Sequence, residues 1–377
     1  MKLWQIGNQQ RKRLKKIPYS AILVICIVGA LTVQLRANGL INPNKPKIQH
    51  IFSDDFKFNQ SKAFELVKKQ VDLGPRYPGS TGIERVRRLI RTEFLNQQDW
   101  SVNYQNFSKI WIDNRNITIV NVICTPKDFN DSGEPFILLA HYDTRLWADA
   151  DPDPQKRTLP VPGANDGASG VAVGLEIGRV LVKYNITNFM LLFVDAEDQG
   201  NIGGWDWILG STHFVESEEF SRFDFSFGIL LDMVGAKGAT FLRERNSDTH
   251  SKDLVDTVWS TAHVLGYSDY FLNVTGRSIK DDHIPFLNKG IPVIDIIDDF
   301  SIRYKSWHTT SDDLSQISPV TLGVVGQTLE AVLVQNLNAT RFTYQSPFLT
   351  FGSDILLGMS ILITLFSLKK GRKSDEK

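Results

Sequence analysis

Five short apolar runs, at residues 117–122, 136–140, 189–194, 227–231 and 291–297, constrain this chain more than any other feature. Most lack the polar alternation of a half-exposed strand, so both faces of each strand need cover. Residues 82–96, 170–183, 253–265 and 320–336 carry apolar side chains at three- and four-residue spacing, the pattern of helices that bury one face. Strands alternating with helices predict an α/β domain of three layers, a mainly parallel central sheet covered by helices on both faces. No internal repeat, low-complexity tract or linker interrupts residues 43–345, which therefore read as one domain.

The two ends read differently. Residues 1–18 are rich in Lys and Arg, and residues 19–35 form an apolar run near the ~17–25 residues that a membrane helix needs. No small-x-small cleavage pattern follows, so a retained anchor is expected rather than a cleaved signal peptide. Residues 348–368 are apolar apart from Asp354 and a few small polar residues, and the basic tail 369–377 follows directly. Basic clusters on the outer side of both runs predict two transmembrane helices with cytoplasmic tails, leaving the domain between them outside the cytoplasm.

Charge and cysteine content narrow the chemistry. Lys+Arg 42 balance Asp+Glu 42, so no long-range field recruits nucleic acid, and none is expected as a partner. The two cysteines, Cys26 and Cys124, cannot build a disulfide framework or a cysteine metal cluster. Any metal must take His, Asp or Glu.

Those residues fall where an α/β sheet binds ligands, beyond the carboxyl ends of its strands. FILLA runs into His141 and Asp143, MLLFV into Asp195, Glu197 and Asp198, and GILL into Asp232. One such ending is most often a cap or a turn acid, but three together point to a site. Asp166 lies in the glycine-rich stretch that opens the 170–183 helix, and His308 follows Trp307 in a polar loop far along the chain. His with Asp and Glu on rigid strand ends is a ligand set for zinc. In the pair Glu197-Asp198, one carboxylate can bind metal while its neighbour shuttles protons.

Taken in order, the motifs GPRYPGS (74–80), AHYDT (140–144), NDGASG (165–170), DAED (195–198), LGSTHF (209–214), LLDMVGA (230–236), DDHIPFLNKGIPV (281–293) and WHTTSDD (307–313) resemble the glutaminyl cyclases, which share their fold with the zinc aminopeptidases. The stretch DTRLWADADPDP before NDGASG is similar to the bacterial branch. The resemblance implies an enzyme that converts the N-terminal glutamine of peptides or proteins to pyroglutamate with release of ammonia. It implies zinc held by Asp166, Asp198 and His308, with Glu197 as general acid and base. Asp232 and Asp281 would assist through hydrogen bonds, and Trp207 and Trp307 would line the substrate pocket. Two positions depart from the pattern: Asp198 stands where many members have Glu, and Asp295 replaces a pocket histidine, at a place expected to touch substrate.

Two rival readings remain open on the sequence. A two-zinc aminopeptidase would use the same residues, with His141 and Asp232 holding a second ion and Asp166 bridging. A non-enzymatic ectodomain on this scaffold would have lost ligands or the base, yet every expected acid and histidine is present.

Overall fold

A computed structural model describes residues 56–94, 100–130 and 134–335. The expected spans at 19–35 and 348–368 and their basic flanks lie outside the described residues. Among the described residues no helix is long and apolar enough to cross a membrane.

Among the described residues, eight strands and eight α-helices follow in chain order. Helix α1 (Gln60–Asp72) starts where the Asn59 side chain accepts the amides of Ser61 and Lys62, and it buries Ala63, Leu66, Val67 and Gln70 at helical spacing. Helix α2 (Thr81–Leu89) is capped by Ser80. Strands β1 (Trp100–Ile110) and β2 (Asn116–Pro126) form an antiparallel hairpin. Then come β3 (Phe136–His141), α3 (Ala168–Lys183), β4 (Phe189–Val194), α4 (Leu209–Val215) and β5 (Gly228–Asp232). Next are strand β6 (Phe241–Arg243), helices α5 (Arg245–His250) and α6 (Lys252–Val264), and strand β7 (Phe271–Thr275), with β6 and β7 paired in parallel as a second small sheet. The chain closes through α7 (His283–Asn288), β8 (Val293–Ile297) and α8 (Pro319–Gln335).

The main sheet runs β1-β2-β4-β3-β5-β8. Strands β4, β3, β5 and β8 are mutually parallel, whereas β1 and β2 join antiparallel at one side, so the sheet is mixed and parallel over its central and far strands. Side chains alternate between two cores with the period of two that a strand imposes. Phe136, Leu138 and Ala140 of β3 face the core shared with α1, α3, α6 and α8, and Phe189, Leu191 and Phe193 of β4 do the same. Ile137 and Leu139, with Met190 and Leu192, face the opposite core with Phe214 of α4 and Phe286 of α7. The three-layer expectation thus holds for the described residues.

Helix α3 is buried along almost its whole length and lies close on the sheet. A Cβ at Gly170 would collide with the Leu231 carbonyl. This close approach brings the start of α3, and Asp166 just before it, up to the carboxyl ends of β3 and β5.

Candidate active site

Since β4, β3 and β5 are parallel neighbours, their carboxyl ends share one edge of the sheet, and the residues that follow them converge. His141 closes β3, Asp232 closes β5, and β4 runs directly into Asp195-Ala196-Glu197-Asp198. The loop between β8 and α8 delivers His308. Ala196, Ile208, Met233 and His308, each on or beside this edge, take left-handed backbone conformations with φ between 46 and 57°. That region is costly for residues other than glycine and is retained where the surroundings enforce it.

The predicted ligands meet. His308 Nε2 lies 2.8 Å from Asp198 Oδ1 and 3.7 Å from Asp166 Oδ2, while His141 Nε2 lies 3.1 Å from both Asp166 Oδ1 and Asp232 Oδ1. The donor atoms form two clusters, Asp166-Asp198-His308 and His141-Asp166-Asp232, joined through Asp166. All five side chains are buried. Asp166 Oδ2 and Asp198 Oδ2 have no hydrogen-bond partner, a cost that a buried carboxylate avoids by coordinating a cation. The oxygen and imidazole donors suit zinc, so the residues fit the metal that the sequence implies.

Electrostatics agree with an anionic hollow. Burial alone would lower His308, but the carboxylates of Asp198, Asp149 and Asp166 outweigh it and push the imidazole up to about 9. Burial likewise opposes a charge on His141, yet Asp143, Asp166 and Asp232 raise it well above its ordinary value. Burial presses Asp166 upward, and the two imidazoles overcome it, holding this carboxyl below the usual range.

A cavity of about 320 Å³ opens onto the first cluster. Asp166, Asp198 and His308 lie at its base beside Glu197, Asp232 and Asp281, and Trp207 and Trp307 form its aromatic walls. Trp307 stacks on the His308 ring at 3.6 Å between centroids, with Trp207 nearly parallel to that ring at 5.9 Å. Burial raises Glu197 well above the usual carboxylate range, with Asp198, Asp281 and Asp282 adding repulsion against the pull of His141. Burial, then repulsion from Asp232, pushes Asp281 up to about 7.

Asp295, read as a substrate-binding residue, is fully buried and is not among the residues lining the cavity. It sits in the middle of the apolar strand β8, facing Asp281, Glu244 and, at 3.9 Å, His283 Nδ1. Strand alternation turns its side chain inward, behind Asp281.

Several supports of the site carry no role in the motif reading. Asp143 accepts the amides of Glu197 and Asp198 at 3.1 and 3.3 Å and the side chain of Gln199 at 3.0 Å, so it fixes the turn after β4. Asp312 accepts the amides of Asn165 and Asp166 and the hydroxyl of Tyr304, tying the His308 loop to the Asp166 loop. Asp149, clamped by two hydrogen bonds from Arg145, lies 3.6 Å from His308 Nδ1 and orients that ring. Buried Arg76, the arginine of GPRYPGS, donates to the carbonyls of Tyr142, Pro162 and Gly163 and so holds two of the site's loops together. The signal for Asp149 and Asp312 was their place in quoted motifs; their partners are set by the fold.

A sheet edge and its loops that gather five carboxylates and His308 around one aromatic-walled cavity, with His141 bonded behind them, define a metal-dependent enzyme with a metallopeptidase-like fold. The chain belongs to peptidase family M28, whose model matches residues 121–333. Its structure is similar to that of Porphyromonas gingivalis glutaminyl cyclase, with 34% identity and a TM-score of 0.70, covering 75% of this chain and 100% of that one. It is similar to a Zn-dependent exopeptidase from Parabacteroides distasonis, with 34% identity and a TM-score of 0.69, covering 74% of this chain and 99% of that one. In sequence, a glutaminyl-peptide cyclotransferase of Drosophila melanogaster is 28% identical over 278 residues, 66% of this chain and 73% of the relative.

Proposed function

We propose that this chain is a zinc-dependent glutaminyl-peptide cyclotransferase, converting the N-terminal glutamine of peptides or proteins to pyroglutamate with release of ammonia. The observation that carries the reading is the wall of the cavity, where Glu197, Asp232 and Asp281 face one space flanked by Trp207 and Trp307. Aromatic walls favour a folded glutamine side chain, and folding brings its γ-carbonyl to its own α-amine, with the large effective molarity of an intramolecular attack.

Asp166, Asp198 and His308 would hold the zinc, which when bound supplies Lewis-acid polarisation of the γ-carbonyl. Asp232 and Asp281 accept hydrogen bonds from the α-amine and aim its lone pair at the carbonyl carbon of the side-chain amide. Glu197 takes a proton from the attacking nitrogen as the new C–N bond forms. It returns that proton to the departing amide nitrogen, which leaves as ammonia. Trp207 and Trp307 exclude water from the reacting atoms. The second reading, a two-zinc aminopeptidase, is favoured by one observation: His141, Asp166 and Asp232 form a second cluster able to hold a cation.

Residues 43–345 act as the catalytic domain in this reading, held at a membrane by residues 19–35 and 348–368 with the site outside the cytoplasm. Support comes from the two apolar runs and their basic outer flanks. The deciding measurement is metal content of the purified protein together with its products from Gln- and Leu-initiated peptides. Ammonia and a pyroglutamyl product, no free leucine, and a zinc ratio near unity are expected. Leucine release at two zincs per chain, without ammonia, would promote the aminopeptidase.

A further inference from the structure

The cavity is graded in charge from floor to mouth. Its floor holds the carboxylates of Glu197, Asp232 and Asp281, whereas the outer lip is formed by exposed Arg277, Ser278 and Lys280. The two cations of the lip differ. Lys280 has a carboxylate partner, Asp206, at 2.6 Å. The Arg277 guanidinium lies over the Phe300 ring at 4.3 Å and has no carboxylate partner among the described residues. The neighbouring acid, Asp299, is engaged by its own loop through Ser301 and Ile302. Phe300 also lines the cavity, and its ring is tilted against Trp307 at 4.7 Å, so the Arg277 fork is stacked on the aromatic lining of the cavity.

A peptide that places its terminal amine among the floor acids must run its next residues past this lip. We propose that Arg277 is a specificity-determining residue that selects peptides bearing Asp or Glu at the second or third position. A planar guanidinium held on an aromatic face presents its donors in the fork that a carboxylate accepts. A lysine at the same peptide position meets an unpaired positive charge and is disfavoured. The inference rests on the proposed cyclase activity.

The test uses the full chain and three peptide series, Gln-Glu, Gln-Ala and Gln-Lys at positions two and three, with ammonia release read as kcat/KM. For the unaltered protein the acidic series should exceed the alanine series by about two- to fivefold, the range of an exposed ion pair, mainly through KM. The lysine series should fall below alanine. The preference should shrink toward unity at high salt, as an exposed pair is screened, and disappear in Arg277→Ala. In Arg277→Glu the order should invert in favour of lysine, a gain that a misfolded variant cannot produce. Equal kcat/KM across the series in the unaltered protein, or an acidic preference that survives Arg277→Ala, overturns the proposal. Ammonia from none of the peptides overturns the cyclase reading and this proposal with it, a result distinct from ammonia without preference.

Discussion

The Asp143 carboxylate receives the backbone N–H of Glu197 at 3.1 Å. This places the residues just after β3 in control of the turn that carries both the proposed general base and a proposed metal ligand. Asp143→Asn keeps the volume but sets an amide donor against one of the donors that the carboxylate now accepts. Zinc affinity should weaken by about 10–100-fold, the range for loss of a partner that orients ligands, with the fold retained. Competition with a chelator of known affinity measures it, and unchanged affinity would remove Asp143 from this role.

Glu197→Gln should keep zinc and fold yet lose turnover by about 10²–10⁴-fold, since only the proton carrier is removed. Metal analysis and ammonia release on the same sample check both halves. Near-full activity with zinc bound would move the base to another carboxylate.

Removal of zinc by a chelator should lower the melting temperature, because an ion that binds only the folded chain stabilises it, and added zinc should restore it. In His308→Ala the melting temperature should no longer respond to the chelator. A response equal to that of the unaltered protein would place the stabilising ion elsewhere.

Glu244 gives a pH-dependent term away from the metal cluster. Burial opposes its charge, but His283 at 3.2 Å and the amides of Asn246 and Ser247 prevail, and its carboxyl is held down to about 2 from an ordinary 4.5. A depressed carboxyl stabilises the fold above the ordinary value, and that stability is lost as pH falls from 4.5 toward 2. Glu244→Gln should therefore cost about 3 kcal/mol at pH 7, from the size of the shift, and the difference should narrow below pH 4.5. Urea midpoints at pH 7, 4 and 3 read it; a gap constant with pH would remove the ionic part of the argument.

If the terminal runs anchor the chain as proposed, protease added outside intact cells or spheroplasts should digest the domain at residues 43–345. Digestion only after the cytoplasmic face is opened would reverse the orientation.

The buried half of the fold was the legible half. Strands β3, β4, β5 and β8 are short and apolar on both faces, and the helices α3, α6 and α8 have long apolar periods, so their pattern stands clear of any turn signal. Strand β1 was not read because it lies at the sheet edge, and most of its side chains remain partly or fully exposed. Helix α1 did carry a usable signal, with Ala63, Leu66, Val67 and Gln70 on one face. Of the proposed metal ligands, Asp198 was visible as a strand ending, and Asp166 and His308 by the glycine-rich stretch and the polar loop that carry them. Asp149 and Asp312 were not, since their roles depend on which loops meet. Asp295 lies within an apolar strand, which already implied a buried side chain, whereas the resemblance placed it toward the substrate.

Asp312 reaches back 146 residues to the amide of Asp166, and His308 closes a cluster begun at Asp166 and Asp198. A centre gathered from such distant stretches cannot exist in a growing chain until its last third has been made and threaded into place. Zinc uptake at the proposed centre would therefore mark a chain made past residue 312 and correctly threaded. A chain stopped before residue 308 lacks both His308 and Asp312 and has no means of closing the centre.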